Sequence, residues 1–194
     1  MSNNVEPVEQ EASNCDVKFI FENGQQIEDR IAVLAAKSRY FEVLLCYLWF
    51  TSDMQESKTT RQVNIKDVSP DTFEHLLFFI HSGKMKIPLT ESLSQELYVA
   101  SKKYAVPDLN EECIKFLQSS INADNVFSML IWAHNYHVDK IKEKCIAFAV
   151  EKGSEMFLYN VAGWKELGKC SLELHKLLIT SIINKVSSAV EFTF

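Results

Sequence analysis

The chain has 194 residues, enough to bury a substantial core without disulfides or a metal to staple it. Apolar residues make up 47% and charged residues 24%, an ordinary globular composition. The formal net charge is -6 and no run of five or more Lys and Arg occurs, so the basic face that nucleic acid or an anionic membrane surface would require is missing.

Residues 1–14 are polar and acidic and read as a disordered tail; they lack the basic start and apolar run of a signal peptide. Residues 15–21 alternate, with Val17, Phe19 and Phe21 on one face, as in a half-buried strand. Asn23-Gly24 then signals a hairpin turn, and residues 25–30 supply the returning strand. Residues 31–38, rich in Ala and Leu, predict a short helix. Residues 40–50 predict a second helix, apolar on nearly every side; interrupted by Glu42, this run is far too short to span a bilayer. A polar loop, 51–60, precedes a short strand over 61–67.

From Ser69 onward the pattern is almost wholly helical. Ser69-Pro70-Asp71 is a helix start, with a capping Ser, Pro in the first turn and an acid at the positive end of the dipole. Phe73, Leu76, Leu77 and Ile80 give the apolar stripe, and Gly83 marks the end. Thr90 caps a helix over 91–104, Pro107 opens another, and residues 122–133 and 138–152 predict an antiparallel helix pair. A last helix is expected over 172–186, followed by a tail, 187–194. The fold class is therefore α+β, a small β-sheet flanked by helices over 15–121 and then a helical segment over 122–186.

Five cysteines at wide spacing, an odd count, do not make a disulfide framework. They read as reduced thiols of an intracellular protein, in nucleus or cytoplasm, with Cys113 and Cys145 in core positions. No phosphate-cradling glycine loop, G-x-S-x-G, H-E-x-x-H or C-x-x-C occurs, so no catalytic residues, cofactor or metal site are expected. His134 and His137 stand three apart at a helix end without an accompanying ligand set.

Four stretches carry a resemblance. Cys15-Asp16-Val17 opens the first strand. Residues 32–41, A-V-L-A-A-K-S-R-Y-F, match a V-L-A-A-R-S-x-x-F helix signature. Asp53-Met54-Gln55-Glu56-Ser57 precedes the strand V-N-I-K-D-V at 63–68, and F-F-I-H-S-G-K at 78–84 closes a helix. In this order they resemble the BTB/POZ domain, and more closely the BTB and BACK parts of speckle-type POZ proteins, a likeness continued by Gly163-Trp164-Lys165. The resemblance implies a BTB/POZ fold followed by a BACK-like segment, dimerisation with itself or with other BTB proteins, and docking to cullin-3 in a ubiquitin ligase complex. In that docking an apolar-x-Glu loop motif engages the cullin, and Met54-Gln55-Glu56 matches it. The implied dimer interface draws on Ile31, Val33, Leu34, Phe41, Leu44 and Leu45. The alternative is a POZ dimerisation module without ligase activity.

Three departures stand out. Arg30-Ile31 replaces a usual His-Lys before the first helix. Residues 46–50, Cys-Tyr-Leu-Trp-Phe, extend the second helix by about 1.4 turns. Against the speckle-type pattern no MATH domain is expected before the POZ block, so the substrate-binding part of an adaptor is expected to be absent or to lie in the helical block.

Overall fold

The computed structural model describes residues 15–51, 61–153 and 155–191, with the backbone alone described at 49, 51, 155, 157, 186 and 188–191. Two compact units emerge, residues 1–88 with 96–110, and residues 89–95 with 111–194.

The first unit is built on strand β1 (Val17–Phe21). β1 is the middle of a three-stranded sheet, antiparallel to β2 (Gln26–Asp29) and parallel to β3 (Arg61–Ile65). Its alternation is the one the sequence predicts: Val17, Phe19 and Phe21 are buried. Lys18, on the other face, pairs with Glu28 across the strands at 2.8 Å. The turn works as Asn23-Gly24 suggests. Gly24 holds a φ of +81°, and the Asn23 side chain accepts a hydrogen bond from the Gln25 N–H at 3.0 Å.

Asp16 organises the start of the sheet. Its N–H donates to the Asp29 carbonyl, its own carbonyl accepts from Arg61, and its carboxylate accepts from the Ile31 N–H at 2.8 Å. That last bond caps helix α1 (Ile31–Ala35), whose neighbour Arg30 provides no side-chain cap. Ser38 does the same for α2 (Arg39–Thr51), accepting from the Phe41 N–H at 3.2 Å, while its hydroxyl donates to the Tyr104 carbonyl. Helix α3 (Pro70–Ser82) begins and ends as expected: Ser69 accepts from the Thr72 N–H, and Gly83 closes the helix in the left-handed conformation.

An aromatic cluster fills the centre of this unit. Tyr104 lies stacked on Phe41 at 5.6 Å, with Phe73 edge-on at 5.3 Å, and Phe73 in turn meets Phe19 at 4.9 Å. Helices α4 (Glu91–Lys103) and α5 (Pro107–Ser120) are each divided between the two units. The link between them turns at Ala105, whose φ of 51° lets the Val106 N–H reach the Ser101 carbonyl at 2.9 Å.

The second unit is helical: α6 (Val126–Asn135), α7 (Asp139–Lys152), α8 (Glu155–Tyr159), α9 (Val161–Cys170) and α10 (Leu172–Glu191). Phe127, Leu130, Ile141, Cys145, Leu167 and Leu178 are fully buried. The helix pair expected over 122–152 is present, but α6 starts four residues late. Asn122 and Asn125 hydrogen-bond each other's backbone N–H groups, and Asn122 also takes the Asp124 N–H, which holds 122–125 as a turn. The short helices α8 and α9 were not anticipated from sequence. Asn160 separates them and caps α9 by accepting from the Gly163 N–H at 2.9 Å. Trp132 and Trp164 pack as core-edge residues, against Tyr136 for the first and against Phe127 and His175 for the second.

Candidate partner-binding surface

The candidate site begins with helix α2, because the segment that follows it carries Met54-Gln55-Glu56. Met54 and Glu56 lie in 52–60, outside the described residues. Their frame is described on both sides. α2 leads into the segment, and β3 receives it, held in register from Arg61 opposite Val17 to Ile65 opposite Phe21.

One side of α2 faces the core: Phe41 is fully buried, and Leu44, Leu45 and Leu48 are half-buried. The other side is also apolar, yet it faces out. Val43 is 56% exposed, Tyr47 62% and Phe50 90%, and Cys46 between them is exposed too. Residues 46–50 continue the helix without a break, so the extension is a lengthened helix with its outer face uncovered. The charged side chains of α2, Arg39 and Glu42, pair with each other at 2.8 Å in its first turn. From Val43 to Thr51 the helix carries no charge.

The residues expected at a dimer interface fall into two groups. Ile31, Leu34 and Phe41 are fully buried in the core of their own unit and present no surface to a second chain. Apolar periodicity marks a face to be covered and does not distinguish a core from a partner. Val33, Leu44 and Leu45 are half-buried and retain surface. The outward position of Val43 is legible in its spacing to Tyr47 and Phe50, four and then three residues, a helical stripe.

Reactive chemistry is muted. Burial, and then the neighbouring Glu112, push the Cys113 thiol up to about 12; burial, and then Glu91, do the same for Cys145, also to about 12. Among the described residues no three His, Cys, Asp or Glu side chains converge to hold a metal, and no helix is long and apolar enough to cross a membrane. A shallow cleft of about 340 Å³ at the ends of β1 and β3 gathers Glu22, Lys66 and Asp67, but Asp67 is engaged by Lys103 at 2.5 Å.

Comparison with known proteins supplies the family. The BTB/POZ domain model matches residues 5–121, more than half of the chain. The chain belongs to the BTB/POZ domain family. Its fold is accordingly the BTB fold, a small mixed sheet with helices, followed by a helical C-terminal part. Protein maternal effect lethal 26 of Caenorhabditis elegans is 27% identical over 164 residues. That match takes in 84% of this chain, but the chain spans only 38% of that relative's length. Among solved structures, the BTB domain of zebrafish PATZ1 is similar at 24% identity with a TM-score of 0.44, over 55% of this chain and 77% of that one. The BTB domain of human gigaxonin is similar at 24% identity with a TM-score of 0.43, over 53% of this chain and 76% of that one.

Proposed function

We propose that this BTB protein is a non-catalytic adaptor that dimerises, with itself or with other BTB chains, and docks a cullin-3 RING ubiquitin ligase to promote ubiquitination of a bound substrate. The observation that carries the reading is the place of Met54-Gln55-Glu56, in the segment that joins α2 to β3 within the matched domain. Apolar-x-Glu alone is a weak pattern, and its position in this fold gives it meaning. Met54 supplies a flexible apolar side chain for a pocket on the partner, and Glu56 accepts charge-assisted hydrogen bonds beside it. The helical C-terminal part serves as a BACK-like segment in this reading. Val33, Leu44 and Leu45 offer the surface for dimerisation.

The test is binding of the purified chain to the N-terminal region of cullin-3, beside a Met54→Ala/Glu56→Ala double variant shown to be folded. Binding at micromolar strength or tighter that the double variant loses supports docking through this motif. A second reading, a POZ dimerisation module without ligase activity, is favoured by residues 46–50, which lengthen α2 by about 1.4 turns ahead of Met54-Gln55-Glu56. A folded chain that self-associates and does not bind cullin-3 selects that reading.

A further inference from the structure

We propose that Ser69 is a phosphorylation site for a proline-directed Ser/Thr kinase, and that its phosphate breaks a hydroxyl chain tying the start of α3 to α4. Ser69-Pro70 is the only Ser-Pro or Thr-Pro pair in the 194 residues. Ser69 is exposed and lies in the stretch 66–69 that joins β3 to α3. Its backbone is extended, with φ -65° and ψ 149°, the conformation that a following proline enforces. A kinase that reads Ser-Pro relies on those two properties. The proline has no N–H to leave unpaired in the substrate groove, and it keeps the residue before it extended.

The hydroxyl that would be modified holds a particular place. The Ser69 Oγ accepts from the Thr72 N–H at 3.1 Å and donates to the Thr72 Oγ1 at 2.8 Å. The buried Thr72 hydroxyl passes its own proton to the Glu96 carboxylate on α4 at 2.6 Å. Ser69, Thr72 and Glu96 all belong to the first unit. In the modification the γ-phosphoryl group of ATP moves to the Ser69 Oγ. An O–P bond forms there, the bond from the γ-phosphorus to its bridging oxygen breaks, ADP leaves, and the hydroxyl proton goes to the base of the kinase. Ser69 then has no proton to give. The single Thr72 hydroxyl proton stands between two anions, the phosphate and Glu96, and can serve only one of them. Asp67 and Asp71, two residues to either side, add like charge, which outweighs what the helix N-terminus gives back. The modification therefore loosens α4 from α3. The proposal does not rest on cullin docking.

Two measurements on the full chain test it. In the first, the chain, native or thermally unfolded, is treated with a proline-directed kinase and ATP, and the modified residues are mapped by mass spectrometry. Ser69→Asn keeps a capping side chain and removes the acceptor hydroxyl. One phosphoryl group should enter the native chain at Ser69 and none should enter Ser69→Asn. No incorporation, incorporation into the unfolded chain alone, or incorporation that Ser69→Asn retains overturns the site. In the second, the thermal midpoint of the phosphorylated chain should fall by about 2–4 °C. The fall should vanish or reverse in Glu96→Gln, whose amide can donate to the phosphate. An unchanged or raised midpoint in the wild type, or a fall that Glu96→Gln retains, overturns the link to α4.

Discussion

Asn160 and Gly163 form a two-residue device whose removal has an unusual sign. The Asn160 amide donates to the carbonyls of Ala123 and Asp124 at 3.1 and 2.8 Å, and its oxygen accepts from the Gly163 N–H at 2.9 Å. It therefore caps α9 and pins the turn before α6. Asn160→Ala removes a cap, about 1 kcal/mol, and two further hydrogen bonds at about 0.5–1 kcal/mol each, for a loss of about 2–3 kcal/mol. Gly→Ala within a helix ordinarily gains up to about 1 kcal/mol. Here a Cβ on Gly163 would stand 2.7 Å from the Asn160 Oδ1 and 3.0 Å from its Cγ, so the Asn160 amide must shift against the three bonds that hold it. Gly163→Ala in the wild-type chain should thus destabilise by about 1–2 kcal/mol, whereas in an Asn160→Ala background it should stabilise by about 0.5–1 kcal/mol. Urea unfolding followed by tryptophan fluorescence, with thermal midpoints moving about 2–4 °C per kcal/mol, reads all four corners of the cycle. Stabilisation by Gly163→Ala in the wild-type chain, or additivity of the two changes, would refute the reasoning.

Ala105 closes α4 at a φ of 51°, where a side chain is strained, so Ala105→Gly should raise stability by about 0.5–1 kcal/mol, measured as a higher thermal midpoint. The Tyr104 hydroxyl is buried with no hydrogen-bond partner among the described residues, and burial and the nearby Asp67 push its ionisation well above the ordinary range. Tyr104→Phe should leave stability unchanged or raise it by about 1 kcal/mol; a loss above about 1 kcal/mol in urea unfolding would contradict the buried, unpaired hydroxyl. With folded-state pKa values raised to about 12, Cys113 and Cys145 should resist maleimide at pH 8 in the native chain while Cys46 and Cys170 react, as mass spectrometry would show. The linkage runs in the same direction. A pKa raised on folding gives stability that is intact below the unfolded thiol value near 9 and is lost as pH rises from about 9 to about 12, at about 1.4 kcal/mol per pH unit per thiol. Unfolding midpoints measured from pH 8 to pH 11 should show the fall beginning near pH 9, and Cys113→Ala/Cys145→Ala should flatten it.

What could be read in the sequence was whatever local chemistry decides. The alternation of Val17, Phe19 and Phe21, the Asn23-Gly24 turn, and the Ser69-Pro70 start and Gly83 end of α3 all stand where the residues place them. Elements set by long-range partners were harder to read. Helix α1 takes its cap from Asp16, fifteen residues away, and no local pattern shows that bond. Helix α6 begins late because two asparagines bind the backbone first. Helices α8 and α9, of five and ten residues, carry too little periodicity to separate them without knowing that Asn160 reaches across to Ala123 and Asp124.

The candidate surface shows the limit most clearly. In α2 apolar residues occupy every side, so periodicity assigns no inside and outside, and Phe41 and Phe50 are indistinguishable by type. The fold separates them: Phe41 stacks on Tyr104 with no exposed surface, while Phe50, nine residues on, is 90% exposed. Burial of Phe41, Ile31 and Leu34 answers the folding requirement of a β/α core. The exposed side answers no folding requirement within the described residues. An uncharged apolar stripe retained in water costs solubility.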